Sequence, residues 1–198
     1  MKQQVLVIHG GTAFASYEQY LDYLTKKEIT LERLLSKGWK EMLQEKLGSD
    51  YQVFTPTMPN GSNVHYIEWK IMFEKILPLL DDSLILIGHS LGGIFLMKYL
   101  SENTTTKTIT KLIVVAPPFD NASGEDLQEF ALNKEVLRTL HTRVGKIVLY
   151  QSKDDVVVPP ENAEHYKDFI EGLELKMFED RGHFTTENFP EIVEEVKG

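Results

Sequence analysis

The chain has 198 residues, of which 42% are hydrophobic and 26% charged, as in an ordinary globular protein large enough to bury a full core. Its net charge of −9 disfavours nucleic acid and anionic membrane surfaces as partners, because an acidic chain has no excess of cations to replace counterions along a phosphate backbone. It contains no cysteine, which excludes a disulfide scaffold, a thiol nucleophile and a zinc–thiolate site.

The first apolar run is short and leads directly into His9-Gly10-Gly11. We therefore interpret it as the first strand of the fold and not as a signal peptide. No apolar stretch of the sequence has the length of a membrane span. A cytoplasmic location is the resulting expectation.

Short apolar runs alternate with helical patterns along the chain. Most of the runs lack period-two alternation and are rich in Val, Ile and Leu, which is typical of strands covered on both faces. The predicted strands are residues 4–8, 51–54, 84–87, 112–115, 146–150 and 173–178. The alternation predicts an α/β fold, a three-layer α/β/α sandwich with a mostly parallel six-stranded sheet, in a single domain over residues 1–198.

Two apolar stripes with helical spacing predict the helices of the first half. One stripe is interrupted near Gly38, ends at Gly48 and consists of Leu31, Leu34, Leu35, Met42, Leu43 and Leu47. The other ends at Pro78 and consists of Ile67, Ile71, Met72 and Ile76.

Two segments are longer than a simple connection requires, residues 12–30 and 117–144, and each follows a predicted strand. Each is either a small lid over a substrate or a part of the packed core, and the sequence leaves both alternatives open. The aromatic residues Phe14, Tyr17 and Phe119 would suit an apolar substrate pocket, but core packing explains them equally well.

The pentapeptide Gly88-His89-Ser90-Leu91-Gly92 lies between an apolar run and an amphipathic helical pattern. Gly-x-Ser-x-Gly at a strand-to-helix junction is typical of a nucleophile elbow, in which a strained turn exposes the serine hydroxyl. Glycines are required on both sides, because a Cβ atom there would clash with the neighbouring chain. Ser90 is therefore the predicted nucleophile.

A serine nucleophile needs a base and a carboxylate that orients the base. His183 follows the last predicted strand and is the candidate base, whereas His89 adjoins Ser90 on the tight turn and its ring is expected to point elsewhere. Asp154 and Asp155 both follow the strand 146–150 and are both available as the acid, and Asp120 after the preceding strand is a rival. These positions give the chain order Ser, acid, His.

An oxyanion hole needs two convergent backbone N–H groups. One is expected from Leu91, directly after the nucleophile, where the helix N-terminus adds partial positive charge. The other is expected from the loop after the first strand, where we favour Gly11 and keep Gly10 and Thr12 as alternatives.

Other uses of these residues find no support in the sequence. The turn after Ser90 lacks the Lys-Ser/Thr pair of a phosphate-binding loop, and His9-Gly10-Gly11 is not Gly-x-Gly-x-x-Gly. No two histidines have the spacing of metal ligands beside a carboxylate. We expect neither a cofactor nor a metal ion.

With these residues assigned, the chain resembles the α/β-hydrolases over nearly its whole length, and more narrowly the small serine hydrolases of the retinoblastoma-binding protein nine and YdeN type. The matching pieces are His9-Gly10-Gly11, Met58-Pro59, Trp69, Gly88-His89-Ser90, Ser152-Lys153-Asp154-Asp155 with Pro159, and Gly182-His183-Phe184. The residues between Ala13 and Lys37 form a longer segment than in that family.

The resemblance implies Asp155 as the acid of the triad. It also implies a reduced α/β-hydrolase fold that lacks the first two strands of larger members, with sheet order 2-1-3-4-5-6. In such a sheet the substrate crevice falls where the strand order reverses, between the strands that end at His9 and Ser90.

The resulting prediction is a serine hydrolase, carboxylesterase-like, that cleaves a small-molecule ester, or a thioester or amide, through an acyl-enzyme intermediate. The alternative is a protein-binding module with a vestigial triad, for which a protein partner is possible although nothing in the sequence supports one.

Overall fold

Six strands form one sheet in the order β2-β1-β3-β4-β5-β6, and every neighbouring pair is parallel. This computed structural model describes residues 2–120 and 127–198. The strands are β1 (Gln3–Ile8), β2 (Tyr51–Phe54), β3 (Ser83–His89), β4 (Thr108–Val115), β5 (Val144–Ser152) and β6 (Glu174–Phe178). The predicted fold class and strand order are confirmed.

The predicted strands locate all six observed ones, and the largest difference is at β4. This strand begins at Thr108, before the apolar run from which it was predicted, because its first residues alternate between polar and apolar. Ile109 pairs with Leu84 and Lys111 with Ile85, so the register shifts at Thr110. A bulge of this kind is invisible to a search for apolar runs.

Helices cover both faces of the sheet. They are α1 (Tyr17–Lys26), α2 (Leu31–Leu35), α3 (Trp39–Leu47), α4 (Tyr66–Ile76), α5 (Leu91–Glu102), α6 (Lys134–Leu137), α7 (Glu161–Phe169) and α8 (Pro190–Lys197). Helices α4, α5 and α7 bury side chains in one apolar cluster, and α3 and α8 in the other. Within the two described ranges, no helix is both long and apolar enough to cross a membrane.

The two predicted helical stripes are buried only in part, and Met72 and Ile76 of the second stripe do pack against the core. Gly38 caps α3, whose Leu43 and Leu47 lie in the core, but the leucines of α2 are exposed to solvent. In α4, Trp69 and Phe73 face the core, while Ile67 and Ile71 are exposed. Burial of an aromatic ring removes more apolar surface from water than burial of isoleucine, so the aromatic stripe occupies the core.

The two long segments prove to be different. The described part of residues 117–144 places Leu127, Phe130, Leu137 and Leu140 in the core, and residues 121–126 of this predicted lid lie outside the described residues. Helix α1 instead buries no residue, and Tyr17, its first residue, is 63% exposed. Phe119 packs against Tyr166 and Phe169, which agrees with core packing for this aromatic residue.

Candidate active site

Ser90 lies on a sharp turn between the end of β3 and the start of α5. Its backbone has φ 54° and ψ −124°, a conformation that L-residues rarely adopt. The Ser90 N–H donates to the Val115 carbonyl over 2.8 Å, and the Ser90 carbonyl accepts from the Gly93 N–H over 2.8 Å. These bonds hold the strained turn between the neighbouring strand and the new helix.

The glycines on either side of Ser90 are required by close packing. A Cβ atom on Gly88 would lie 2.5 Å from the Gly92 carbonyl oxygen, and one on Gly92 would lie 2.4 Å from the Ile8 carbonyl oxygen. Neither backbone oxygen can move without displacing β1 or α5. The spacing of the elbow motif thus reflects contact between backbones.

His183 and Asp155 meet at the carboxyl ends of β6 and β5. The His183 Nδ1–H donates to Asp155 Oδ2 over 2.8 Å, and the Asp155 side chain is 0% exposed. The other carboxylate oxygen accepts from the N–H groups of Val157 and Val158, each over 2.9 Å. All three bonds fix the carboxylate, and the bond to Nδ1 leaves Nε2 of His183 free to accept a proton.

Asp154, the adjacent aspartate, stabilises the turn that carries His183. Its Oδ1 accepts from the Ser152 hydroxyl over 2.5 Å and from the Gly182 N–H over 2.8 Å. The Ser152 bond, followed by the Gly182 bond, lowers the pKa of this carboxyl. The two aspartates that the residues alone left open are therefore distinct, and Asp155 is the one that contacts His183.

The loop after β1 lies beside the serine. A Cβ atom on Gly10 would be 3.1 Å from the Ser90 Cβ. The Thr12 N–H donates to the Gly61 carbonyl over 3.2 Å, so this alternative oxyanion donor is already engaged. The Leu91 N–H is at the first turn of α5, where amides have no partner within the helix.

His9 holds this loop in place through both of its ring nitrogens. Nδ1 is 2.5 Å from the Gly10 carbonyl, to which it donates, and Nε2 accepts the Met58 N–H over 2.9 Å. Trp69 in turn donates to the Pro59 carbonyl over 2.8 Å and packs edge-on against the His9 ring. The Met58-Pro59 and Trp69 pieces of the family resemblance thus support the glycine loop.

The rings of His89 and His183 lie 4.9 Å apart, so His183 lies beside the residue that precedes Ser90. The Ser90 hydroxyl makes no hydrogen bond within the described parts of the chain, and the serine is 6% exposed. Catalytic hydrogen bonds often tighten only when substrate is bound, so a free hydroxyl is compatible with a nucleophile.

Two residues beside the site, His89 and Lys40, were given no role by the sequence analysis. His89 donates from Nε2 to the His183 carbonyl over 2.8 Å, and its Nδ1 is 3.1 Å from Lys40 Nζ. Nothing in the sequence links Lys40 to a histidine so distant along the chain. In residues 2–120 and 127–198, no three His, Asp or Glu side chains cluster so that they could hold a metal ion.

A parallel sheet of this order, with a serine elbow after β3 and a His–Asp pair after β6 and β5, defines an α/β-hydrolase fold. The family model described as "Serine hydrolase" matches residues 35–195. The chain belongs to this serine hydrolase family, as its resemblance to the small members implied.

Three known proteins are similar to this chain. Serine hydrolase RBBP9 from Rattus norvegicus is 27% identical over 167 residues, which cover 81% of this chain and 83% of the relative. The ydeN gene product from B. subtilis superposes with a TM-score of 0.73 at 18% identity, covering 99% of this chain and 97% of that one. The esterase domain of a Rhodothermus marinus protein superposes with a TM-score of 0.62 at 16% identity, covering 99% and 85%.

Proposed function

We propose that this serine hydrolase cleaves carboxylic esters through a triad of Ser90, His183 and Asp155. The observation that carries the proposal is the 2.8 Å contact between His183 Nδ1 and the buried Asp155 carboxylate. This contact lies at the carboxyl ends of the strands, as does the Ser90 turn. A neutral imidazole oriented by a buried carboxylate is the base that a serine hydroxyl requires.

In the first half of the reaction, the Ser90 oxygen attacks the ester carbonyl carbon while His183 Nε2 takes the hydroxyl proton. Asp155 stabilises the imidazolium that forms. The N–H groups of Leu91 and Gly11 bind the carbonyl oxygen as it becomes negatively charged. The tetrahedral intermediate then collapses, and His183 gives its proton to the departing alcohol, which leaves the acyl group on Ser90.

In the second half, a water molecule attacks the acyl-enzyme while His183 takes one of its protons. The second tetrahedral intermediate expels the Ser90 oxygen, which recovers its proton from His183, and the carboxylic acid departs. Thioesters and amides would follow the same route, because the triad acts on the carbonyl group that all three substrates share.

Esters are favoured over the other substrates by one structural neighbour and by the exposed apolar side chains of the segment 12–30. The Rhodothermus marinus neighbour is an esterase domain, although its likeness to this chain is one of fold. The segment 12–30 leaves the sheet directly after Gly11 and exposes Tyr17, Leu24 and Ile29. We infer that this segment acts as a small lid that contacts the apolar acyl group of the substrate.

The first test is covalent labelling by a fluorophosphonate probe, which reacts with activated serines. The native protein should be labelled and Ser90→Ala should not. Turnover is then measured on p-nitrophenyl esters from acetate to laurate, with His183→Ala as a second inactive variant. Native, folded protein that resists the probe and hydrolyses no ester of the panel would exclude the proposal, and the binding module would then be the better hypothesis.

A further inference from the structure

Three hydrogen-bond donors from other parts of the chain bind backbone carbonyls of the loop that carries His183. His89 Nε2–H donates to the His183 carbonyl over 2.8 Å and Trp39 Nε1–H to the Phe184 carbonyl over 2.9 Å. The Trp39 backbone N–H donates to the Thr186 carbonyl over 3.1 Å. Three carbonyls of one loop are thus bound by Trp39, the first residue of α3, and by His89 of the elbow.

The loop needs this support because its own backbone is strained. Gly182 and Phe184, the residues on either side of His183, both have φ 51°. The left-handed region is unfavourable for a residue with a side chain, so Phe184 keeps this conformation only where its surroundings impose it. A small relaxation of the loop would rotate the His183 ring between Asp155 and Ser90.

Lys40 determines which nitrogen of His89 carries the proton. An ammonium group can only donate, so the 3.1 Å contact with Lys40 Nζ makes Nδ1 of His89 an acceptor. The proton of the neutral ring is then on Nε2, where it can be donated to the His183 carbonyl. Burial, and then the charge of Lys40, hold the pKa of His89 well below its usual value, which keeps the ring neutral.

No salt bridge to a described residue competes with His89 for the Lys40 ammonium. Lys40 forms no ion pair within the described ranges, and burial lowers its pKa. Its ammonium lies 5.3 Å from the centre of the Trp39 ring. The neighbouring Glu41 carboxylate accepts from the Gly38 N–H and so caps α3.

We propose that Lys40 and His89 are positioning residues for the catalytic base: Lys40 fixes the tautomer of His89, and His89 holds the His183 carbonyl so that the imidazole is aimed at Ser90. This inference rests on the proposed function for its effect on turnover. The hydrogen bonds themselves can be tested in a protein that turns over nothing.

The first experiment compares His89→Gln with His89→Leu. A glutamine amide can accept from Lys40 and donate to the His183 carbonyl, whereas leucine fills the space and does neither. We expect kcat on the best ester to fall roughly 10²-fold in His89→Leu, as for a misplaced catalytic group, with KM nearly unchanged. His89→Gln should recover kcat to within about tenfold of the native value. Equal kcat values in the two folded variants would mean that His89 only fills space, and would overturn the proposal.

The second experiment removes the lysine. Lys40→Met should lower kcat about fivefold, since the free energy that selects one tautomer is that of a single hydrogen bond, about 1 kcal/mol. Lys46→Met is the control, because this exposed lysine lies in the last turn of the same helix, whereas Lys40 lies in the first; it should leave kcat unchanged. A native kcat in folded Lys40→Met would remove Lys40 from the proposal.

The third measurement does not depend on activity and also serves if His89→Leu fails to fold. The imidazole ¹⁵N spectrum of the native protein should show His89 as the neutral tautomer with its proton on Nε2, and Lys40→Met should shift it toward a mixture. A native His89 that is protonated, or that carries its proton on Nδ1, would overturn the inference. Absence of ester turnover together with the expected spectrum would refute the proposed function and leave the Lys40–His89 pair standing.

Discussion

At the scale of single residues, the two adjacent aspartates give the sharpest contrast in the site. The Asp155 side chain is fully buried and binds His183 Nδ1, whereas Asp154 binds the Ser152 hydroxyl and the Gly182 N–H. Asp155→Asn should therefore lower kcat by roughly 10⁴-fold with a small effect on KM, because an amide no longer selects the Nδ1–H tautomer of the base.

Asp154→Asn is the matched control for this prediction. The amide oxygen can still accept from Gly182, so kcat should fall by less than about tenfold. Steady-state measurement of kcat for both variants on one ester tests which aspartate is the triad acid. Similar losses in the two variants would contradict the assignment of the triad acid.

The residues of the proposed triad could be predicted because each lies where a parallel strand ends. Residue types alone did not separate Asp155 from Asp154; the family resemblance did. His89 and Lys40 could not be assigned, because the bond from His89 is to a backbone carbonyl 94 positions away and any residue in place of His183 would offer the same carbonyl. A pattern of residue types contains no signal for such a bond.

At the scale of elements, helix α8 is attached to the sheet through Glu195. This carboxylate forms ion pairs with one lysine from each of three neighbouring strands, and its side chain is 4% exposed. Burial alone would raise the pKa of Glu195, but the hydrogen bonds from Lys176, Lys146 and Lys111 outweigh burial and bring the pKa to about 2 from 4.5.

A carboxyl whose pKa is lower in the folded than in the unfolded protein stabilises the fold above the unfolded value. Glu195 should thus contribute about 3 kcal/mol at neutral pH, and this contribution should be lost as the pH falls from about 4.5 toward 2. Urea unfolding of Glu195→Gln should show this deficit at pH 7 and a smaller one near pH 3. Glu194 is exposed, so Glu194→Gln should have the native free energy of unfolding at both pH values. A loss of unfolding free energy in Glu195→Gln that does not change with pH would contradict the argument.

The segment 12–30 supports a prediction about substrate length. Ile29 is 70% exposed, so Ile29→Ser should change the free energy of unfolding by no more than about 0.5 kcal/mol. If the segment contacts the acyl group, kcat/KM should fall several-fold for laurate esters and remain unchanged for acetate esters.

Leu79→Ser is the control for this prediction. Leu79 is also strongly exposed, but it precedes β3 and so lies at the end of the sheet opposite the site. Leu79→Ser should leave kcat/KM unchanged for both esters. An equal loss for both esters in Ile29→Ser would show that the segment does not recognise chain length.

The strands could be predicted well and the helix faces less so, for a physical reason. A strand covered on both faces appears as an uninterrupted apolar run, such as residues 84–87, which has one interpretation. An amphipathic helix with two apolar stripes has two possible buried faces. In α4 these are the face of Ile67 and Ile71 and the face of Trp69 and Phe73, and the choice depends on which side chains of the sheet contact the helix. Local periodicity does not contain that information.

At the scale of the whole molecule, the two tryptophans test whether the chain unfolds as a single domain. The sequence contains two, and Trp39 and Trp69 are buried on opposite faces of the sheet. Trp39→Phe and Trp69→Phe leave one reporter each. In each variant the fluorescence and far-UV circular dichroism transitions in urea should coincide, because both layers share the same six strands. Transitions at different urea concentrations would show that the layers unfold separately.

The backbone conformation of Ser90 has a consequence for protein engineering. At φ 54° a Cβ atom is under strain, and glycine relieves that strain, so Ser90→Gly should be more stable than Ser90→Ala by about 1 kcal/mol in thermal unfolding. Both variants lack the hydroxyl, so their difference isolates the backbone. With Ser90 as the proposed nucleophile, selection of a library of variants for heat resistance alone would favour an inactive protein, and such a selection needs a parallel screen for turnover.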